Sequence, residues 1–185
     1  MELAEDLKPI DIEEIKLEAK RCKGRLDNIF LHWTAGRYGQ IYDDYHLSID
    51  YDGRIYAPGN NLNFLKHKSH TWMRNGGSIG IAMCGCYDAE ANSGYNSYFG
   101  SQGPTTAQIE AMAVLVAVIC KYAGLNISDA LTHCEIAFID GYGPGSGDPQ
   151  TKWDLWFLPD VSCDDQMKPG GEVIRGKAQW YYDKY

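Results

Sequence analysis

At 185 residues the chain has the length of one domain, with room for a substantial core. Its 44% hydrophobic and 23% charged content is that of an ordinary globular protein. A formal net charge of −8 and a sequence pI near 5.0 argue against a nucleic-acid binder, which would carry a basic face, and against tight electrostatic adsorption to anionic membranes or cell-wall polymers.

The N-terminus, Met1-Glu2-Leu3-Ala4-Glu5-Asp6, is acidic and has no apolar core, so no secretory signal is expected and synthesis is placed in the cytosol. Residues 11–22 alternate apolar and charged positions at helical spacing, with Asp11 and Glu14 in capping-box register. Asp27 to Trp33 reads as a buried strand. A hairpin follows, from Tyr45 to Tyr51, through a turn at Asp52-Gly53, to Arg54-Ile55-Tyr56. Ser78 to Cys84 is a further strand launched from the Asn75-Gly76-Gly77 turn. Residues 87–104, rich in Gly, Ser, Asn and Tyr, read as an exposed loop.

The strongest helix runs from Thr105 to Ala123, opened by Thr105 with Gln108 and closed by Gly124. Its longest apolar run, Ala111 to Cys120, falls short of the roughly 20 residues a membrane span needs, so it is expected to be a central buried helix. A short strand at Ala130-Leu131-Thr132 leads to His133, with Glu135 expected on the same strand face. A glycine-rich loop, 141–147, precedes Lys152-Trp153-Asp154; it lacks the Gly-Lys-Ser/Thr ending of a phosphate-binding loop. From Pro159 on there is no clear strand pattern, and Gly176 to Tyr185 is expected to form a closing helix. The six cysteines, at 22, 84, 86, 120, 134 and 163, lack paired zinc-knuckle spacing and are expected to be reduced and mostly buried, with Cys84 and Cys86 on one strand face. The organisation expected is a single α/β domain, a mixed central β-sheet flanked by α-helices. It comprises an N-terminal helical extension at 1–26, the main domain at 27–158 and a packed C-terminal tail at 159–185.

Chemistry concentrates on His32, His133 and an aspartate near the end of the glycine loop. Each histidine closes a short apolar run, where a strand aims a side chain out of the sheet. Two imidazoles and one carboxylate are the donor set of an open zinc site. Asp154 and Asp148 compete for the third position. Asp148-Pro149 suits a turn, whereas Asp154 has Lys152 two residues before it.

Five motifs occur in order: His32 before Trp33-Thr34-Ala35-Gly36, Tyr45-His46 opening the Asp52-Gly53-Arg54-Ile55-Tyr56 hairpin, Asn75-x-x-Ser78-Ile79-Gly80-Ile81, Thr132-His133, and Lys152-x-Asp154. In this the chain resembles the zinc-dependent N-acetylmuramoyl-L-alanine amidases of the type 2 amidase family, related to phage lysozyme-like amidases and peptidoglycan recognition proteins. The resemblance covers roughly residues 27–158. It implies Zn2+ as cofactor, held by His32, His133 and Asp154, with Lys152 stabilising an oxyanion and Tyr45 placed over the reacting water. His46 is then a supporting residue, His70 and Trp72 contact substrate, and His67 lies on the surface. Ala82 stands where other branches carry a glutamate base, which fits the tyrosine branch. Of Trp33, Trp72 and Trp153, some are expected in the core and one or two along the groove.

The function implied is hydrolysis of the amide between N-acetylmuramic acid and L-alanine, with peptidoglycan or a muropeptide as partner and a monomer as the working form. The competing readings are a peptidoglycan-binding module that does not cleave, and an amidase acting on soluble muropeptides. Three settings are compatible with the sequence: a lysin acting on the wall after lysis, an effector delivered by dedicated export, and a cytoplasmic recycling enzyme.

Overall fold

The computed structural model describes residues 7–92, 98–160 and 165–185. Its centre is a five-stranded mixed sheet built from β1 (Asn28–Trp33), β2 (Leu47–Ile49), β3 (Ile55–Tyr56), β4 (Ser78–Met83) and β5 (Ala130–Thr132), in the order β3-β2-β4-β1-β5. β1 lies between β4 and β5 and is parallel to both; β2 is parallel to β4, and only the β2–β3 hairpin is antiparallel. Burial is unbroken from Ile29 to Trp33 on β1 and along all of β2 and β4, so residues pointing to either side are buried and both faces of the sheet are covered.

Four helices supply that cover: α1 (Ile12–Arg21), α2 (Thr106–Ala123), α3 (His133–Asp140) and α4 (Gly170–Tyr182). α1 and α2 begin at the capping boxes legible in sequence, Asp11 with Glu14 and Thr105 with Gln108. Gln108 does more than cap. It is fully buried, and its Nε2 donates to Ile49 O (3.0 Å) and Cys84 O (2.7 Å), tying the start of α2 to the ends of β2 and β4. Among the described residues α2 is the one helix long and apolar enough to cross a membrane, but it packs against α1, α4 and strands β2 and β4. Burying each of its large aliphatic side chains contributes about 1.5–3 kcal/mol.

Several expectations change. The C-terminal tail does hold strand structure: β6 (Phe157–Asp160) pairs antiparallel with β7 (Gln166–Pro169), and the closing helix begins at Gly170 rather than Gly176. Within 87–104, residues 93–97 lie outside the described residues. The rest folds back instead of standing free: Glu90 and Tyr98 form an antiparallel bridge, Ala91 is buried, and Phe99 packs on Trp33 at 5.8 Å. Cys84 and Cys86 are both buried, but β4 ends at Met83 and Cys86 has φ 63°, so they do not share a strand face. Cys22, Cys120 and Cys134 are also buried free thiols; Cys163 lies outside the described residues.

Candidate metal centre

Parallel pairing brings the two histidines together. Leu31 is in register with Thr132 across β1 and β5, so the next residues, His32 and His133, leave the same carboxyl edge of the sheet side by side. Ligand sites of open α/β sheets gather at that edge. His133 does not end a strand; it is the first residue of α3, with Thr132 as N-cap. Glu135 is therefore not on a strand face. Its backbone N–H donates to Thr132 Oγ1 and its carboxylate accepts from Thr132 N, closing a capping box. The Thr132-x-x-Glu135 spacing in the sequence was the signal for this helix start.

Asp154 reaches the same point from a turn. Lys152 (φ 55°) and Leu155 (φ 59°) flank it in the left-handed region, where non-glycine residues cost about 1–3 kcal/mol unless packing holds them. That packing is present: Trp153 meets Trp33 edge-on with centroids 4.7 Å apart, and Leu155 is fully buried.

The Asp154 carboxylate spans the two imidazoles, with Oδ2 3.0 Å from His32 Nδ1 and Oδ1 3.2 Å from His133 Nδ1. One donor atom from each residue lies within 4.8 Å of the others. Tetrahedral zinc with bonds of roughly 2.0–2.2 Å needs donors roughly 3.3–3.5 Å apart, a separation this set meets with small adjustments. Burial alone would raise the Asp154 pKa, but His133 and His32 overcome it and hold the carboxyl well below the usual range. Burial lowers the His32 pKa against the opposing pull of Asp154. Ionised carboxylate and neutral imidazole are the forms a metal takes up. The donor set and its spacing fit zinc, as do the ionised form of Asp154 and the neutral form of His32.

Around the three donors, Thr71 Oγ1 lies 3.3 Å from His32 Nε2 and 3.1 Å from His70 Nδ1. The His70 ring presses on β4 at Gly80, where an added Cβ would come within 2.5 Å of the ring; this explains the glycine of the Ser-Ile-Gly-Ile strand. Burial drives the His70 pKa down to about 2, and its Nε2 has no hydrogen-bond partner among the described residues. His46 accepts from Gly80 N (2.9 Å) at Nδ1 and donates to Lys66 O (2.8 Å) from Nε2, so it is a neutral tie with its pKa lowered by burial to about 4. The Tyr45 ring lies 5.2 Å from that of His32, and burial raises its pKa far enough to keep the hydroxyl protonated.

Two of the donors, His133 and Asp154, line a cleft of about 320 Å³ together with Trp33, Tyr45, His70 and Lys152, among others, and the buried His32 lies directly against them. Lys152 is exposed at this cleft, and its charge is felt at His32. Asp148 is elsewhere: it is exposed and accepts from Gln150 N and Thr151 Oγ1, and of the two aspartates it is Asp154 that joins the histidines. Trp33 and Trp153 are buried yet line the cleft, whereas Trp72 is 67% exposed, packs edge-on against Tyr142, and is not in the cleft wall. His67 is exposed. Asp44, Thr71 and Gln150 escaped notice in the sequence because each is a lone polar residue outside any spaced motif; Asp44 and Gln150 line the cleft.

Residues 23–154 match the family model described as N-acetylmuramoyl-L-alanine amidase. Among solved structures, the chain is similar to the endolysin N-acetylmuramoyl-L-alanine amidase LysCS from Clostridium intestinale URNW, at 17% identity and TM-score 0.43 over 74% of this chain and 78% of that one. It is similar to PGRP-LB of Drosophila at 15% identity and TM-score 0.46, over 98% of this chain and 89% of that one. A third similar structure is PGRP-Hd from Alvinella pompejana, at 21% identity and TM-score 0.41 over 71% of this chain and 78% of that one. No curated protein matches the chain in sequence.

Proposed function

The chain belongs to the N-acetylmuramoyl-L-alanine amidase family, the type 2 amidases, and on that premise we propose that it hydrolyses the amide between N-acetylmuramic acid and L-alanine in peptidoglycan. The observation that carries the reading is the convergence of His32, His133 and Asp154 on one point of a cleft that also holds Lys152 and Tyr45. A three-donor set that leaves a fourth position for water, beside a lysine, favours cleavage over binding alone.

His32, His133 and Asp154 would hold zinc, which supplies a Lewis acid and a nucleophile drawn from water at neutral pH. The protein's own groups do the rest. Lys152 places an ammonium at the cleft, where the amide oxygen gains negative charge as its carbonyl is attacked. Tyr45, kept protonated by burial, can orient the attacking water by a hydrogen bond or pass a proton to the leaving amine. Thr71, within 3.3 Å of His32 Nε2, fixes the orientation of that imidazole. His70 is the group we assign to substrate from within the cleft, and Trp72 from its exposed position beyond the cleft wall. The working form we propose is a monomer acting without a membrane partner.

The test is digestion of purified wall and of soluble muropeptides by zinc-loaded protein, read by mass spectrometry. Free stem peptides beginning at L-alanine, lost on chelation, are expected. Zinc-loaded protein that binds the wall but releases no stem peptide would establish the non-cleaving reading. Release from muropeptides alone would move the substrate to soluble fragments.

A further inference from the structure

One charged cluster outside the cleft bears directly on it. Arg175, on α4, makes a two-pronged pair with Glu135: Nη1 donates to Oε2 at 2.8 Å and Nη2 to Oε1 at 2.7 Å. The same Nη1 donates to Ala130 O at 3.0 Å, and Glu135 Oε2 also accepts from Thr132 N at 2.8 Å. One guanidinium thus fastens the start of β5 and the first turn of α3 together, and His133 lies between Thr132 and Glu135 in that turn. The pair is only partly exposed, with side chains 22% and 31% accessible. The planar fork of arginine meets both carboxylate oxygens and the carbonyl at once, which a lysine cannot do.

The entry to α4 also bears on the other side of the site. Gly170 N donates to Trp156 O at 2.9 Å, and a Cβ on Gly170 would fall 2.1 Å from Leu155 O, so the chain lies pressed against the residue that follows Asp154. α4 therefore touches the elements that carry two of the three donors, while His32 is held by the sheet.

We propose that Arg175 is a positioning residue for the metal centre, holding the Thr132–Glu135 turn so that the His133 imidazole faces Asp154. This rests on the zinc reading above. A matched control lies on the same helix: Lys177 donates to Glu110 Oε1 at 2.6 Å, tying α4 to α2 without touching α3.

The experiment is competition titration of zinc into wild type, Arg175→Gln, Arg175→Lys and Lys177→Gln, with folding of each checked by circular dichroism. Visible spectra of the cobalt-loaded forms are recorded alongside. Zinc Kd is expected to weaken about 10–100-fold in Arg175→Gln with an altered cobalt spectrum, to recover in part in Arg175→Lys, and to stay within about twofold of wild type in Lys177→Gln. If Arg175→Gln fails to fold, Glu135→Gln, which keeps an acceptor for Thr132 N, replaces it with the same expectation. Wild-type zinc affinity and cobalt spectrum in the Arg175 or Glu135 variant, or an equal loss in Lys177→Gln, overturns the proposal. Failure of the zinc reading itself looks different: wild type then takes up no zinc, and the proposal falls with it.

Discussion

His32 and Asp154 meet within hydrogen-bonding distance but are placed by opposite means. His32 stands near the end of β1, an inner strand with parallel neighbours on both sides, and is itself in register with Ala82 on β4, so its position follows from backbone pairing. Asp154 stands on a turn with left-handed residues on either side, and no ladder holds it. Its position depends on Trp153 against Trp33, Leu155 in the core, and α4 laid over the turn. The first of these proposed ligands is as stable as the fold, whereas the second is as stable as the local packing around it. Metal affinity should accordingly be more sensitive to changes in the turn and the C-terminal helix than to changes of equal size in the sheet.

The largest effect expected is from removing the turn's ligand. Asp154→Ala should lose zinc and all hydrolysis, while Asp148→Ala, altered in the same loop region, should keep both; metal analysis after dialysis, together with product assays, checks this. Retained zinc in Asp154→Ala would remove the contrast. Next, Lys152→Met should lower kcat about 10²–10³-fold with zinc content unchanged, because it removes a charge from the cleft and not a ligand; steady-state kinetics beside metal analysis separates the two.

The comparison is sharpest in a pair of core truncations. Leu31→Ala, beside His32 on β1, and Leu155→Ala, beside Asp154, each remove a fully buried side chain and should each cost about 2–5 kcal/mol in denaturant unfolding. Zinc Kd of the molecules that remain folded should shift only for Leu155→Ala. A smaller effect concerns acid. His46 is held neutral with a pKa of about 4, below its unfolded value of about 6.5. The unfolded chain binds the extra proton first, so this contribution is fully present above pH 6.5 and is lost as pH falls through 4, up to on the order of 3 kcal/mol. Unfolding of the metal-free protein between pH 7 and 4 should show a shallower acid slope in His46→Gln, whose amide can keep both hydrogen bonds.

How much could be read from sequence divides along the same line. The inner strands, the hairpin and helices α1 and α2 were legible because apolar periodicity and capping boxes act locally. His32, His133 and Asp154 were legible as a set because their motifs keep a fixed order along the chain. The start of α3 was misread as strand because the apolar run up to Thr132 continues past His133, although Thr132-x-x-Glu135 signals a helix. β6 and β7 carry little strand signal, since Pro159 interrupts one and Gln166-Met167-Lys168-Pro169 holds no β-branched or aromatic residue and ends in proline; a two-stranded ladder tolerates both. Arg175 carries no local signal at all. Its role exists only once α4 lies against α3, across 40 residues of chain.

In the proposed centre one zinc ion is shared by a strand, a helix start and a turn. Anomalous scattering at the zinc edge from crystals of the zinc-loaded protein tests it most directly. A single strong peak is expected within about 2.0–2.2 Å of one atom each of His32, His133 and Asp154. A peak at Asp148, a peak lacking Asp154, or no ordered zinc in the cleft would contradict it.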